Sequence, residues 1–175
     1  MSSERICKVC LSYMYLDKLV GWLRCPSCGF MKKEAKSMIS QQELMGDNKW
    51  EELTPELQAN AEELLKRVNI FREKYGIPMY VNSGYRSVEH NASIKGAKDS
   101  AHCECQAIDF KDSDGKLFEF IKNNPKILEE CDLYMENPGW TGTWIHLQSR
   151  AIPSGHRVFI PYSDGRPATA PDRVL

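Results

Sequence analysis

Four cysteines in two Cys-x-x-Cys pairs, Cys7/Cys10 and Cys25/Cys28, place the tightest constraint on what this chain can fold into. Each such turn presents two sulfurs along one edge of a tetrahedron, and two of them at the ends of a hairpin close a four-thiolate metal site. Fourteen residues separate the pairs, and Gly29 follows the second. Roughly thirty residues cannot bury enough apolar surface to fold alone, so a metal has to drive their folding. Four thiolates leave no open coordination position, which makes the site structural. The spacing predicts a zinc-held unit over residues 1–34, with Cys7, Cys10, Cys25 and Cys28 as ligands.

The rest of the 175 residues suffices for one packed domain. A 42% hydrophobic and 27% charged composition is that of a globular chain. A net charge of −1 gives no whole-chain case for nucleic acid. No apolar run is long enough for a membrane span, so no membrane partner is expected. The start, MSSERICKVC, lacks a basic segment followed by an apolar core. No secretory signal is therefore expected, and seven cysteines without one point to metal ligation rather than disulfides.

Residues 35–53 read as a connector with a helical turn or two. From Thr54 to Tyr75 the pattern is helical: Thr54 suits the N-cap, Pro55 the first turn, and Gly76 the stop. Leu57, Ala61, Leu64, Val68, Phe71 and Tyr75 form its apolar stripe. Strands are predicted at 78–81, 106–111, 131–136, 143–148 and 157–161, and short helices at 87–95 and 115–123. Helices first and strands later predict an α+β domain with a small, mainly antiparallel sheet and flanking helices, over 54–175 including a C-terminal tail.

Within it stand Ser100, His102 and Asp109 in S-A-H-C-E-C-Q-A-I-D, and later His146 in W-I-H. Two imidazoles and a carboxylate leave an ion one open position and enough charge to acidify water, which is what a catalytic zinc site needs. The pattern S-x-H-x-x-x-x-A-x-D, preceded by S-G-Y-R at Ser83–Arg86 and followed by W-I-H, resembles the zinc D-alanyl-D-alanine peptidases. That family includes cell-wall carboxypeptidases, vancomycin-resistance dipeptidases and phage endolysins, and shares its fold with the Hedgehog signalling domain. The N-terminal segment similarly resembles the zinc ribbons carried by many unrelated proteins.

The resemblance covers roughly residues 54–160. It implies zinc ligands at His102, Asp109 and His146, a substrate-binding Ser100, and an arginine at Arg86 for a substrate carboxylate or the transition state. The element order resembles the phage branch, in which the catalytic carboxylate precedes W-I-H; here that is Glu136, with Glu104 as runner-up. A hairpin pairing Glu136 with Trp144 would set Glu136 and His146 on one face. A glycine is usual where Cys105 stands, and Cys103 and Cys105 are read as inert. His90, His156, Trp22, Trp140 and Trp144 are read as structural.

Together these imply a zinc metallopeptidase of carboxypeptidase or endopeptidase type that cleaves an amide bond in peptidoglycan peptide stems. They further imply one catalytic and one structural zinc, a phage origin with synthesis in the host cytoplasm and action at the wall or on a particle, and a protein docking partner for the ribbon. The alternative is a phage structural or binding protein that keeps fold and zinc without activity.

Overall fold

The computed structural model describes Cys10, residues 15–17, 22–28, 31–33 and 38–160. The chain divides into a smaller unit of residues 1–37 with 76–78 and a larger one of residues 38–75 and 79–175. In the smaller unit β1 (Tyr15–Asp17), β2 (Trp22–Arg24) and β3 (Met31–Lys33) form an antiparallel sheet in that order. Cys7, the first of the four cysteines, lies outside the described residues.

The larger unit is α+β. Its elements are α1 (Gln41–Met45), a 3-10 turn (Trp50–Glu52), α2 (Pro55–Tyr75), β4 (Val81–Ser83), α3 (Val88–Ser93) and β5 (Ala107–Lys111). Then come α4 (Lys116–Asn123), α5 (Ile127–Glu130), β6 (Tyr134–Glu136), α6 (Pro138–Thr141), β7 (Trp144–Gln148) and β8 (Val158–Phe159). The sheet runs β4-β5-β7-β6-β8. Three pairings are antiparallel; β8 joins β6 in parallel, so the sheet is mixed. One sheet face sends Ile108, Phe110, Ile145, Leu147 and Met135 into a core shared with Ala61, Leu64, Val68 and Phe71 of α2.

The stretch read as a connector is part of this core from residue 38 on. Ile39, Leu44, Met45 and Leu53 are buried in it. Asn69 of α2 clamps the segment: its Oδ1 accepts from the Ile39 amide at 2.7 Å and its Nδ2 donates to the Ile39 carbonyl at 3.0 Å. Helix α1 starts with a capping box, Ser40 Oγ accepting from the Glu43 amide and Glu43 Oε2 from the Ser40 amide.

Two strands sit later than predicted. Pro78 has no N–H to give a ladder, and the Met79 carbonyl accepts from Arg72 instead, at 3.2 Å. Pairing begins only where the Lys111 amide donates to the Tyr80 carbonyl. Residues 131–136 are not all strand either. Helix α5 occupies 127–130, and Asp132, at φ 50°, turns the chain before β6. The Leu133 amide closes that turn on the Leu128 carbonyl, as at a left-handed helix end.

Candidate metal centre

Backbone register lines up one row of side chains across the sheet. Ser83 pairs with Asp109, and Asp109 with His146. Met135 pairs with Leu147, which brings Glu136 opposite His146, and Glu136 pairs in turn with Phe159. Side chains one row apart alternate faces, so while Ile108, Leu147 and Met135 point into the core, Asp109, His146 and Glu136 share the other face. The hairpin register differs by two residues from the one the sequence suggested. An even shift preserves the face, so Glu136 still meets His146.

His102 reaches this row from the loop before β5, and Gly84 is what positions it. The loop after β4 passes so close to α1 that a Cβ on Gly84 would run into the backbone of Leu44. The Tyr85 amide donates to the Leu44 carbonyl at 2.8 Å, and the Arg86 amide to the His102 carbonyl at 3.2 Å. The Gly84 carbonyl then lies 2.6 Å from His102 Nδ1. A carbonyl only accepts, so Nδ1 carries the proton and Nε2 turns inward, 3.3 Å from Asp109 Oδ2.

The second imidazole is held in the mirror sense. His146 Nδ1 is 2.8 Å from Asp109 Oδ1, and its Nε2 is 3.2 Å from Gln148 Oε1. One inward-facing atom from each of His102, Asp109 and His146 lies within 4.8 Å of the others, and all three residues are buried. Two imidazoles whose outer nitrogens are tied to acceptors, converging on one carboxylate, are a donor set that fits a metal ion.

Arg86 closes one side, with Nη2 2.7 Å from Asp109 Oδ2 and Nε 2.8 Å from Ser83 Oγ. Burial alone would raise the Asp109 pKa, but hydrogen bonds and charge from His102 and His146 hold it well below the usual carboxylate range. His102 is pushed down by burial, against the pull of Asp109. His146 ends up raised: burial opposes, and the Asp109 hydrogen bond and charge, helped by Glu136 and Gln148, outweigh it. Burial raises Glu136, with Asp109 adding to that and His146 opposing.

Other residues singled out in the sequence fall elsewhere. Glu104 is exposed, and its carbonyl accepts from Asn60. Ser100 Oγ sits 3.4 Å from the His102 amide, within the turn that leads into the site. Cys105 is fully buried and its thiol is pushed up to about 12 by burial; Cys103, half-buried, is also raised. Cys105 has φ 55°, which is the physical reason a glycine is at home there. His90 and His156 are exposed and outside the cluster. Trp140 and Trp144 are not packing residues: 58% and 39% of their surfaces are open.

In the smaller unit Cys10 Sγ lies 3.4 Å from Cys25 Sγ and 3.6 Å from Cys28 Sγ, a second group that can hold a metal. Sequence reasoning missed two partners in the larger site, the Gly84 carbonyl and Gln148. Gln148 had a signal, since a polar residue two places after His146 shares its face.

Among the described residues no helix is long and apolar enough to cross a membrane. A comparison with curated proteins returns no match. Residues 37–147 match the family described as Peptidase M15. That segment is more than half of the chain, starts one residue before the larger unit, and contains all three converging residues with Glu136 and Arg86. The chain belongs to the Peptidase M15 family, whose members are zinc metallopeptidases.

Proposed function

We propose that the larger unit hydrolyses an amide bond in the peptide stem of peptidoglycan, with a zinc ion held by His102, Asp109 and His146. The observation that carries this is the row Asp109–His146–Glu136, with both imidazoles tied from outside by Gly84 and Gln148. Zinc bound there supplies Lewis acidity, polarising the scissile carbonyl and acidifying water. Glu136 is the general base: it takes one proton as the water oxygen bonds to the carbonyl carbon. It gives that proton to the nitrogen as the C–N bond breaks, leaving an amine and a carboxylic acid that carries the second water proton until it ionises. Its half-buried, raised carboxyl suits both directions of transfer. Arg86 holds a substrate carboxylate or the oxyanion with its planar fork. Ser100, beside His102 in the same turn, contributes to substrate binding.

Cys7, Cys10, Cys25 and Cys28 hold a second, structural zinc in a ribbon that docks the enzyme on a protein partner. A phage-encoded lysis or tail-associated role fits the resemblance to the phage branch. The test is to incubate the zinc-loaded protein and a Glu136→Gln variant with muropeptides of known composition and identify the products by mass spectrometry. Cleavage by the wild type alone supports the reading, and the fragment masses name the bond. A wild type silent on every stem tested, with zinc bound, would instead establish a binding protein that kept the fold.

A further inference from the structure

The outer nitrogen of His146 meets a glutamine amide, and what fixes that amide is two residues further along the chain. Gln148 is 97% buried, and its Nε2 donates to the Arg150 carbonyl at 2.7 Å. The carbonyl can only accept, so the NH2 end of the amide must face it and Oε1 must face His146. Oε1 can only accept too, so Nε2 of His146 keeps its proton, and Nδ1, which faces the Asp109 carboxylate, is the nitrogen left to give up its proton to an ion. The Arg150 carbonyl is itself anchored. Its guanidinium bonds Asp99 twice, Nη1 to Oδ1 at 3.1 Å and Nη2 to the carbonyl at 2.8 Å, and the neighbouring Ser149 amide donates to the Gln106 carbonyl at 2.9 Å.

We infer that Gln148 is a positioning residue for the metal: through the relay from the Arg150 carbonyl to its own amide to His146 Nε2–H, it commits Nδ1 of His146 to the ion. The match to the family ends at residue 147, one short of Gln148, so the family match does not supply this role. The inference rests on the proposed His102–Asp109–His146 ligand set. A glutamine is suited to it because one amide carries the donor and the acceptor that the two neighbours require. A glutamate keeps the acceptor and loses the donor; a methionine keeps the shape and loses both.

The experiment uses the full chain with 15N-labelled histidine side chains, whose resonances near His102 and His146 report this site and not the cysteine cluster. In the zinc-loaded wild type, the His146 pattern should show Nδ1 on the metal and the proton on Nε2, a result that needs no variant to fold. Zinc titration of Gln148→Met should then show affinity lower by about 10- to 100-fold, the usual scale for losing such an outer partner. Gln148→Glu should recover most of it. Metal-free unfolding of each variant separates lost folding from lost zinc, since a merely structural Gln148 would lower the midpoint and leave ring pattern and affinity alone. Nε2 on the metal in the wild type, or wild-type affinity in a folded Gln148→Met protein, would overturn the inference while leaving the ligand set standing. Histidine resonances that do not respond to zinc at all would sink the ligand set and this inference with it.

Discussion

Gly84→Ala puts the geometry of the site under direct test. A Cβ there meets the oxygen, carbon and Cα of Leu44, all backbone atoms that no rotamer change can move aside. The gap between α1 and the loop after β4 has to open. Opening it stretches the Tyr85–Leu44 hydrogen bond of 2.8 Å and draws the Gly84 carbonyl off His102 Nδ1. Overpacking costs about 1–3 kcal/mol, and one hydrogen bond adds about 0.5–1.5 kcal/mol. The sum, about 2–4 kcal/mol, corresponds to a fall in the melting midpoint on the order of 10 °C for a chain of this size. Zinc affinity should fall as well, by roughly 10-fold or more, because His102 loses the acceptor that orients it. Gly46→Ala is the comparison: Gly46, at φ 57°, has nothing in its way, so its cost is backbone strain alone. That variant should lose stability and keep its zinc affinity. Thermal unfolding of the metal-free proteins and a chelator competition measure both quantities. A Gly84→Ala protein with wild-type midpoint and affinity, or Gly46→Ala weakening zinc just as much, would refute the reasoning.

Glu136→Gln should fold and bind zinc yet lose about two or more orders of magnitude in turnover, while Glu104→Gln, at an exposed site, should do little; a reversal of the two in a muropeptide assay would move the base to Glu104. Arg86→Lys should keep its zinc and lose about 2–3 kcal/mol of transition-state stabilisation, since a point charge does not replace the fork; near-normal kcat/KM would make Arg86 a strut for Asp109. Asp109 has a folded pKa below its unfolded value, so its contribution is present above about pH 4 and is lost as the pH falls below that; denaturant unfolding of the metal-free protein in acid should show the loss, and Asp109→Asn should abolish that part of it. The Asp109 carboxylate beside Nδ1 raises the His146 pKa, so zinc binding at that nitrogen is coupled to proton release, and the calorimetric enthalpy of zinc binding should vary with the ionisation enthalpy of the buffer; an invariant enthalpy contradicts this. Elemental analysis should approach two zinc equivalents per chain, and Cys25→Ser should remove one of them without touching activity on a soluble stem peptide.

What could be read in the sequence was whatever depends on short-range pattern. Helix α2 carries its cap, its stripe and its stop within one continuous stretch, and it forms where the pattern puts it. His102, Asp109 and His146 were legible because their residue types and order are unusual together, and the fold brings them within bonding reach. The misreadings came from partners distant in the chain. Residues 35–53 were read as a connector with a helical turn or two; that the stretch from 38 on belongs to the core depends on Asn69, some thirty positions away. Alternation over 131–136 looked like strand because Cys131, Leu133 and Met135 are all buried, yet they are buried from a helix end, a turn and a strand in succession. Trp140 and Trp144 read as packing by residue type, and only the position of α6 and the start of β7 leaves them open to solvent.

The site also differs in kind from the cysteine cluster. Here the donors are oriented before any ion is present: Gly84 and Gln148 turn the two rings, and Asp109 is held at Oδ1 by His146 and at Oδ2 by Arg86. The entropy of ordering these side chains is lost when the sheet folds, not when zinc binds. A protein of this design keeps its larger unit folded without metal, whereas a unit of some thirty residues has no comparable core to fall back on. The cost of preorganisation falls on Asp109, whose carboxylate is shared among two imidazoles and a guanidinium. On the proposed reading zinc competes for that carboxylate with Arg86 and with the His146 proton. A guanidinium whose hold on Asp109 weakens in that competition is a cation at the rim, tethered by Ser83, with donors to offer an anionic group. On the proposed function the same residue links occupancy of the metal site to recognition of the substrate, which is why Arg86→Lys is expected to separate zinc content from turnover.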